Sequence, residues 1–114
     1  MKINNKLKMK VKVEFSGGLE LMFNNKKNLD LDIVEGTMDQ GGVVTTKDLL
    51  LEDVIEELRK NHLKEKEEMF IQSGTVRPGI IVLVNDTDWE LLDSEKYKME
   101  SNDTVAFIST LHGG

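Results

Sequence analysis

The sequence contains no cysteine, which excludes thiol nucleophiles, thiolate metal sites and structural disulfides together. Any sulfur chemistry that involves this chain must use sulfur supplied from outside. Histidine is almost as scarce: His62 lies on the edge of an apolar helical stripe and His112 is the third residue from the end of the sequence. Neither is placed to centre a catalytic triad, so no catalytic residue is assigned. No apolar run approaches a membrane span, and the opening residues alternate lysine with apolar side chains instead of forming a signal-peptide core, so a cytoplasmic location is expected. An excess of positive charge is missing too. At a net charge of −6 the chain repels phosphate backbones, so tight direct nucleic-acid binding is not expected; the same charge is compatible with docking on a basic patch of a partner protein but does not identify one.

What is present fits one domain. A chain of 114 residues with 39% hydrophobic content buries roughly two-thirds of its unfolded surface and needs no staple. Leu7, Met9, Val11, Val13 and Phe15 take every second position between Lys8, Lys10, Lys12 and Glu14, the period of a half-buried strand. Ser16-Gly17-Gly18 reads as a turn, and Leu19, Leu21 and Phe23 resume the alternation, which predicts an antiparallel hairpin. From Asn24 to Thr46 the pattern is lost among Asn, Lys, Asp and Gly, apart from Leu29, Leu31 and Ile33. That stretch reads as an irregular connection.

Leu51, Val54, Ile55, Leu58 and His62 follow the spacing of one helical face, with Thr45, Thr46 or Asp48 as candidate caps. Lys64 to Glu68 reads as a solvated charge run, and Met69 to Ile71 as a return to the core. Arg77-Pro78-Gly79 breaks any helix. Five consecutive apolar residues, Ile80 to Val84, then suit a strand buried on both faces. Asn85 to Asp88 reads as a turn, Trp89 to Leu92 as a short return strand and Thr104 to Thr110 as the last strand. The order β-β-α-β-β-β describes an α+β fold, a mixed sheet packed on one main helix, with a right-handed crossover if the first and last strands are central and parallel. That is a β-grasp, or ubiquitin-like, roll. Residues 1–110 are expected to form the single domain, with 1–6 as a flexible extension and 111–114 as a flexible diglycine tail.

Two other sites were tested against the residues and fail. Counting Asp86 as the first position of a calcium loop puts Leu91 where a glycine is needed and Tyr97 where a bidentate glutamate is needed, so no metal site is assigned. Gly17-Gly18 and Gly41-Gly42 lack the spacing of a phosphate-binding loop. The remaining feature is the end, Leu111-His112-Gly113-Gly114. Glycine has no Cβ, so a diglycine tail threads a narrow tunnel and presents an unhindered carboxylate. That carboxylate becomes an electrophile only after activation, for instance as an acyl adenylate made from ATP.

Val76 to Ile80, Val82 to Leu91 and Val105 to Gly114 resemble the characteristic segments of the ubiquitin-related modifier family. The likeness extends more loosely to Phe15-Ser16-Gly17-Gly18 and to Asn61 through Phe70. It implies a sulfur carrier, not an enzyme. A ubiquitin-activating-type enzyme with a rhodanese-like domain would grip Leu111, His112 and Gly113, adenylate Gly114 and convert it to a thiocarboxylate. ATP would be consumed by that partner, and no cofactor would be bound by the chain. A tRNA thiolase complex would then place the sulfur on the wobble uridine, and the same carbonyl would be joined to lysine-bearing target proteins. With nothing after Gly114 in the sequence, no processing protease is expected. Departures from the family pattern are the long 24–46 connection and Glu56 and Glu57 on the helix. Alternative readings are a ubiquitin-like binding module with an inert tail, or the small sulfur-carrier subunit of molybdopterin or thiazole synthesis.

Overall fold

Alternation builds the first strand. The computed structural model describes residues 5–64 and 66–110, and in it β1 (Asn5–Ser16) buries Met9, Val11, Val13 and Phe15 while Lys8, Lys10, Lys12 and Glu14 face solvent. The sequence places Asn5 and Lys6 in an extension, yet they open β1 opposite Met38 and Thr37. The partner of β1 also differs from the expected hairpin. Leu19–Phe23 is a 3-10 turn that buries Leu19, Met22 and Phe23 and leaves Leu21 66% exposed. Five residues satisfy both a period of two and a helical spacing, so alternation over so short a window does not discriminate.

The antiparallel partner is β2 (Asn28–Met38), inside the stretch that reads as irregular, followed by β3 (Val44–Thr46). Aspartate is disfavoured in strands, which hides β2 in the sequence. Here Asp30 and Asp32 stand opposite Lys12 and Lys10 on the solvent face, with Lys10 Nζ 3.5 Å from Asp32, while Leu31 and Ile33 point into the core.

The helix α1 (Leu51–Asn61) buries Leu51, Val54, Ile55 and Leu58 as its spacing requires. None of the three candidate caps is used. Leu50 occupies the N-cap place, and Asp53 Oδ2 accepts from the Leu50 amide at 2.8 Å. Past the helix, Phe70 is fully buried, and β4 (Ile71–Gln72) and β5 (Thr75–Val76) form a small hairpin of their own.

β6 (Ile80–Val84), β7 (Thr87–Asp88) and β8 (Thr104–Ser109) complete the main sheet, whose order is β3-β2-β1-β8-β6-β7. β1 and β8 are central and parallel, as expected of a β-grasp. β6 corrects one expectation: it buries Val82 and Val84 on one side only, and Ile81 stays 40% exposed, because α1 covers a single face of the sheet. Asn85 and Asp86, at φ 48° and 69°, make the two-residue turn into β7. The return strand expected at Trp89 to Leu92 is not formed: Trp89–Leu91 is a 3-10 turn with Leu92 as its C-cap, and Asp88 Oδ1 caps its start by accepting from the Glu90 amide at 2.9 Å.

All four phenylalanines meet in the core. Phe15 and Phe23 stack at 4.0 Å between centroids, and Phe70 sets its edge against Phe23 at 5.3 Å and Phe107 at 5.4 Å. Aromatic pairs of these geometries add about 0.5–1.5 kcal/mol each beyond the area they bury. The quartet ties the β1 end, the 3-10 turn, the segment after α1 and β8 into one unit.

Candidate functional site

Leu111, His112, Gly113 and Gly114 lie outside the described residues, so the geometry bearing on the tail is that of the strand leading to it. β8 is held along its length. Val105 and Phe107 are fully buried, with β1 on one side (Val13↔Val105, Phe15↔Phe107) and β6 on the other (Val82↔Phe107, Ile80↔Ser109). A strand paired on both edges and buried on one face is the most rigid support a sheet offers.

Its start is locked by Asp103, 7% exposed. The carboxylate accepts from Asn85 Nδ2 at 2.8 Å, from the Tyr97 hydroxyl at 2.9 Å and from the Glu100 amide at 2.8 Å. The Asp103 carbonyl accepts the Lys12 amide at 2.8 Å, so one residue joins β1, the β6–β7 turn and the loop before β8. Burial, followed by the hydrogen bond to Asp103, pushes the Tyr97 phenol up to about 12.

Its end is held by two turns. The Thr110 amide donates to the Gly79 carbonyl at 3.0 Å, and the Thr110 hydroxyl donates to the same oxygen at 2.5 Å. On the β1 side, Gly17 at φ +72° lies so close to β8 that a Cβ there would overlap the Ser109 carbonyl. Beside this exit, the outer face of β8 and β6 is apolar, with Ile108 next to Ile81 and Ala106 next to Leu83, while the neighbouring β1 positions are Ser16 and Glu14.

His62 ends α1, with Nε2 3.3 Å from a Glu57 carboxylate oxygen. Trp89 is half-buried against the core. A cavity of about 350 Å³ runs along α1 and is lined by Glu52, Asp53, Glu56, Arg59 and Glu95 among others. Its carboxylates already have partners: Glu56 with Arg59, Glu95 with the Thr75 hydroxyl at 2.7 Å and Glu52 with Lys96 at 2.7 Å. Those contacts hold the Glu56 and Glu95 carboxyls below the usual range, through the hydrogen bonds from Arg59 and Thr75 respectively. Among the described residues no group of three or more His, Asp and Glu could hold a metal ion, and no helix is long and apolar enough to cross a membrane. Sequence reasoning missed Asp103 and Thr110. The available signal was an Asp directly before a strand and a Thr directly after one, both common end positions.

Comparison with known proteins places the chain. The model of the family described as Urm1 (Ubiquitin related modifier) matches residues 10–114. The chain is 47% identical over 106 residues to the ubiquitin-related modifier 1 homolog of Dictyostelium discoideum, covering 93% of this chain and all of that protein. It is 46% identical over 107 residues to ubiquitin-related modifier 1 of Schizosaccharomyces pombe, again covering 93% of this chain and all of the relative. The solution structure of Urm1 from Trypanosoma brucei superposes with a TM-score of 0.72 at 38% identity over the full length of both chains. The crystal structure of SAMP1 from Haloferax volcanii reaches a TM-score of 0.66 at 15% identity, over 92% of this chain and 99% of that one, and shares the fold.

Proposed function

The chain belongs to the ubiquitin-related modifier family, and from that premise we propose that it acts through the carboxyl group of Gly114. It is a ubiquitin-like sulfur carrier and protein modifier, serving thiolation of wobble uridine in tRNA, and a carrier rather than a catalyst. The observation that carries the reading of Gly114 is the family match, which runs from Lys10 through Gly114 itself. The anchored β8 supports it mechanically, because a tail needs a rigid base to be presented from.

The chemistry follows from the weakness of a carboxylate as an electrophile. A ubiquitin-activating-type partner, carrying a rhodanese-like domain, joins a Gly114 oxygen to the α-phosphorus of ATP and releases pyrophosphate. A persulfide on that partner attacks the acyl carbon and AMP leaves. A second thiolate on the partner then attacks the inner, cysteine sulfur of that acyl disulfide, so the S–S bond breaks, the outer sulfur stays on Gly114 as a thiocarboxylate and the two enzyme sulfurs are left as a disulfide. ATP is thus consumed by the partner. A tRNA thiolase complex receives the sulfur, and a target lysine attacking the activated carbonyl gives an isopeptide bond instead. Leu111, His112 and Gly113 are the residues the activating enzyme grips, and the cytoplasm is where the pathway operates. The test is a chain lacking Gly114 expressed in place of the native one: both tRNA 2-thiouridine and high-mass conjugates must vanish. Retention of either overturns the proposal.

A further inference from the structure

Two turns that the sequence singles out, Phe15-Ser16-Gly17-Gly18 and Arg77-Pro78-Gly79, have no part in the carrier chemistry, yet both close on the end of β8. We propose that the paired hydrogen bonds from Thr110 to the Gly79 carbonyl form a clasp that fixes where the sheet stops and the tail starts, which makes Thr110 a positioning residue for the activation of Gly114. The inference rests on the function proposed above and deepens it.

The clasp is built on both sides. Arg77-Pro78-Gly79-Ile80 is a tight turn in which Ile80 N donates to Arg77 O at 3.2 Å, and Gly79 adopts φ +98°, a conformation that favours glycine. The turn is itself fastened, since Arg77 N donates to Phe70 O at 2.8 Å and Arg77 Nη1 to Glu68 O at 3.2 Å. Its carbonyl is therefore a fixed post. Thr110 lies beyond the last residue of β8 and is exposed, yet spends both its amide and its hydroxyl on that one oxygen. An exposed hydroxyl is served equally well by water, so the second bond adds little to global folding. What it adds is direction. On the other side Gly17 packs so close to Ser109 that any Cβ there would overlap its carbonyl.

The consequence is a defined reach. Four residues beyond Thr110 span at most about 14 Å, so the carboxylate must meet ATP inside the partner within that distance of Thr110. Without the clasp, the partner must immobilise one more residue on binding. Ordering one backbone residue weakens an interaction by about fivefold to thirtyfold. That loss falls on KM for the carrier, while the rate from the bound complex is unchanged.

The experiment measures ATP–pyrophosphate exchange by the cognate activating enzyme, with the full chain as substrate, for the native protein and for T110G, T110V and T110S. T110G loses the hydroxyl and gains backbone freedom, so its KM rises about fivefold or more. T110V keeps the amide bond and rises less, and T110S, which keeps both donors, behaves as the native chain. kcat and the thermal midpoint stay constant across the series. An unchanged KM in T110G, a T110S as impaired as T110G, or a KM that only tracks loss of thermal stability overturns the clasp while leaving Gly114 as the reacting group. Absence of exchange with the native chain removes the proposed function, and this inference with it.

Discussion

Replacing Asp103 by alanine strips one carboxylate from three donors: the Tyr97 hydroxyl, Asn85 Nδ2 and the Glu100 amide. Hydrogen bonds to a charged group contribute about 1.5–3 kcal/mol each, and a donor left buried without a partner carries a further penalty. Tyr97 is half-buried and Asn85 is exposed, so part of the network regains water; the sum expected is about 3–5 kcal/mol. In a domain of this size that lowers the thermal midpoint by at least about 10 °C. Urea unfolding followed by far-UV circular dichroism reads the free energy directly, and Asp103→Asn should fall between native and alanine, since one amide nitrogen must then face a donor. Asp103→Ala and Tyr97→Phe should also be non-additive, because they break the same bond. A loss under about 1 kcal/mol for Asp103→Ala would refute the view that this residue locks the base of β8.

Three further expectations can be checked on the same protein. Phe70→Ala removes the edge partner of both Phe23 and Phe107 from a fully buried place and should destabilise by about 3–5 kcal/mol in urea titration, with the m-value unchanged. Gly17→Ala must place a Cβ against the Ser109 carbonyl at φ +72°, so a loss of about 2 kcal/mol or more is expected; Gly18→Ala, at φ +100° but with open space around it, should lose less. Tyr97 titrates near 12 in the fold against 10.0 ordinarily, so its contribution is complete below pH 10 and disappears as pH rises from 10 to 12. Tyr97→Phe should flatten that alkaline part of the stability profile, which chemical denaturation at stepped pH measures.

The legible parts of this fold were those whose burial follows a clean period over enough residues. β1, α1 and β8 each bury one face without interruption, and their patterns state as much. β2 was not legible because its solvent face is written in aspartates, acceptable only opposite Lys10 and Lys12 on a neighbouring strand that a local reading does not see. Leu19–Phe23 was misread for the opposite reason, a pattern too short to carry one period. Ile80 to Val84 looks doubly buried, whereas Ile81 contributes to an uncovered apolar face beside the exit of β8. The tail residues came from chemistry and family resemblance, whereas the contacts by which Asp103, Gly79 and Thr110 support them came from the structure alone. A hydroxyl and an amide sharing one carbonyl across thirty-one positions of sequence leave no periodic trace.

The central claim concerns the carboxyl of Gly114, and intact-mass spectrometry after incubation with the activating enzyme, ATP and a persulfide donor tests it most directly. The account predicts a gain equal to exchange of one oxygen for one sulfur, located by fragmentation to the last residue and absent when ATP is withheld. A mass that stays constant under full reaction conditions, or sulfur found on any residue before Gly114, would contradict it.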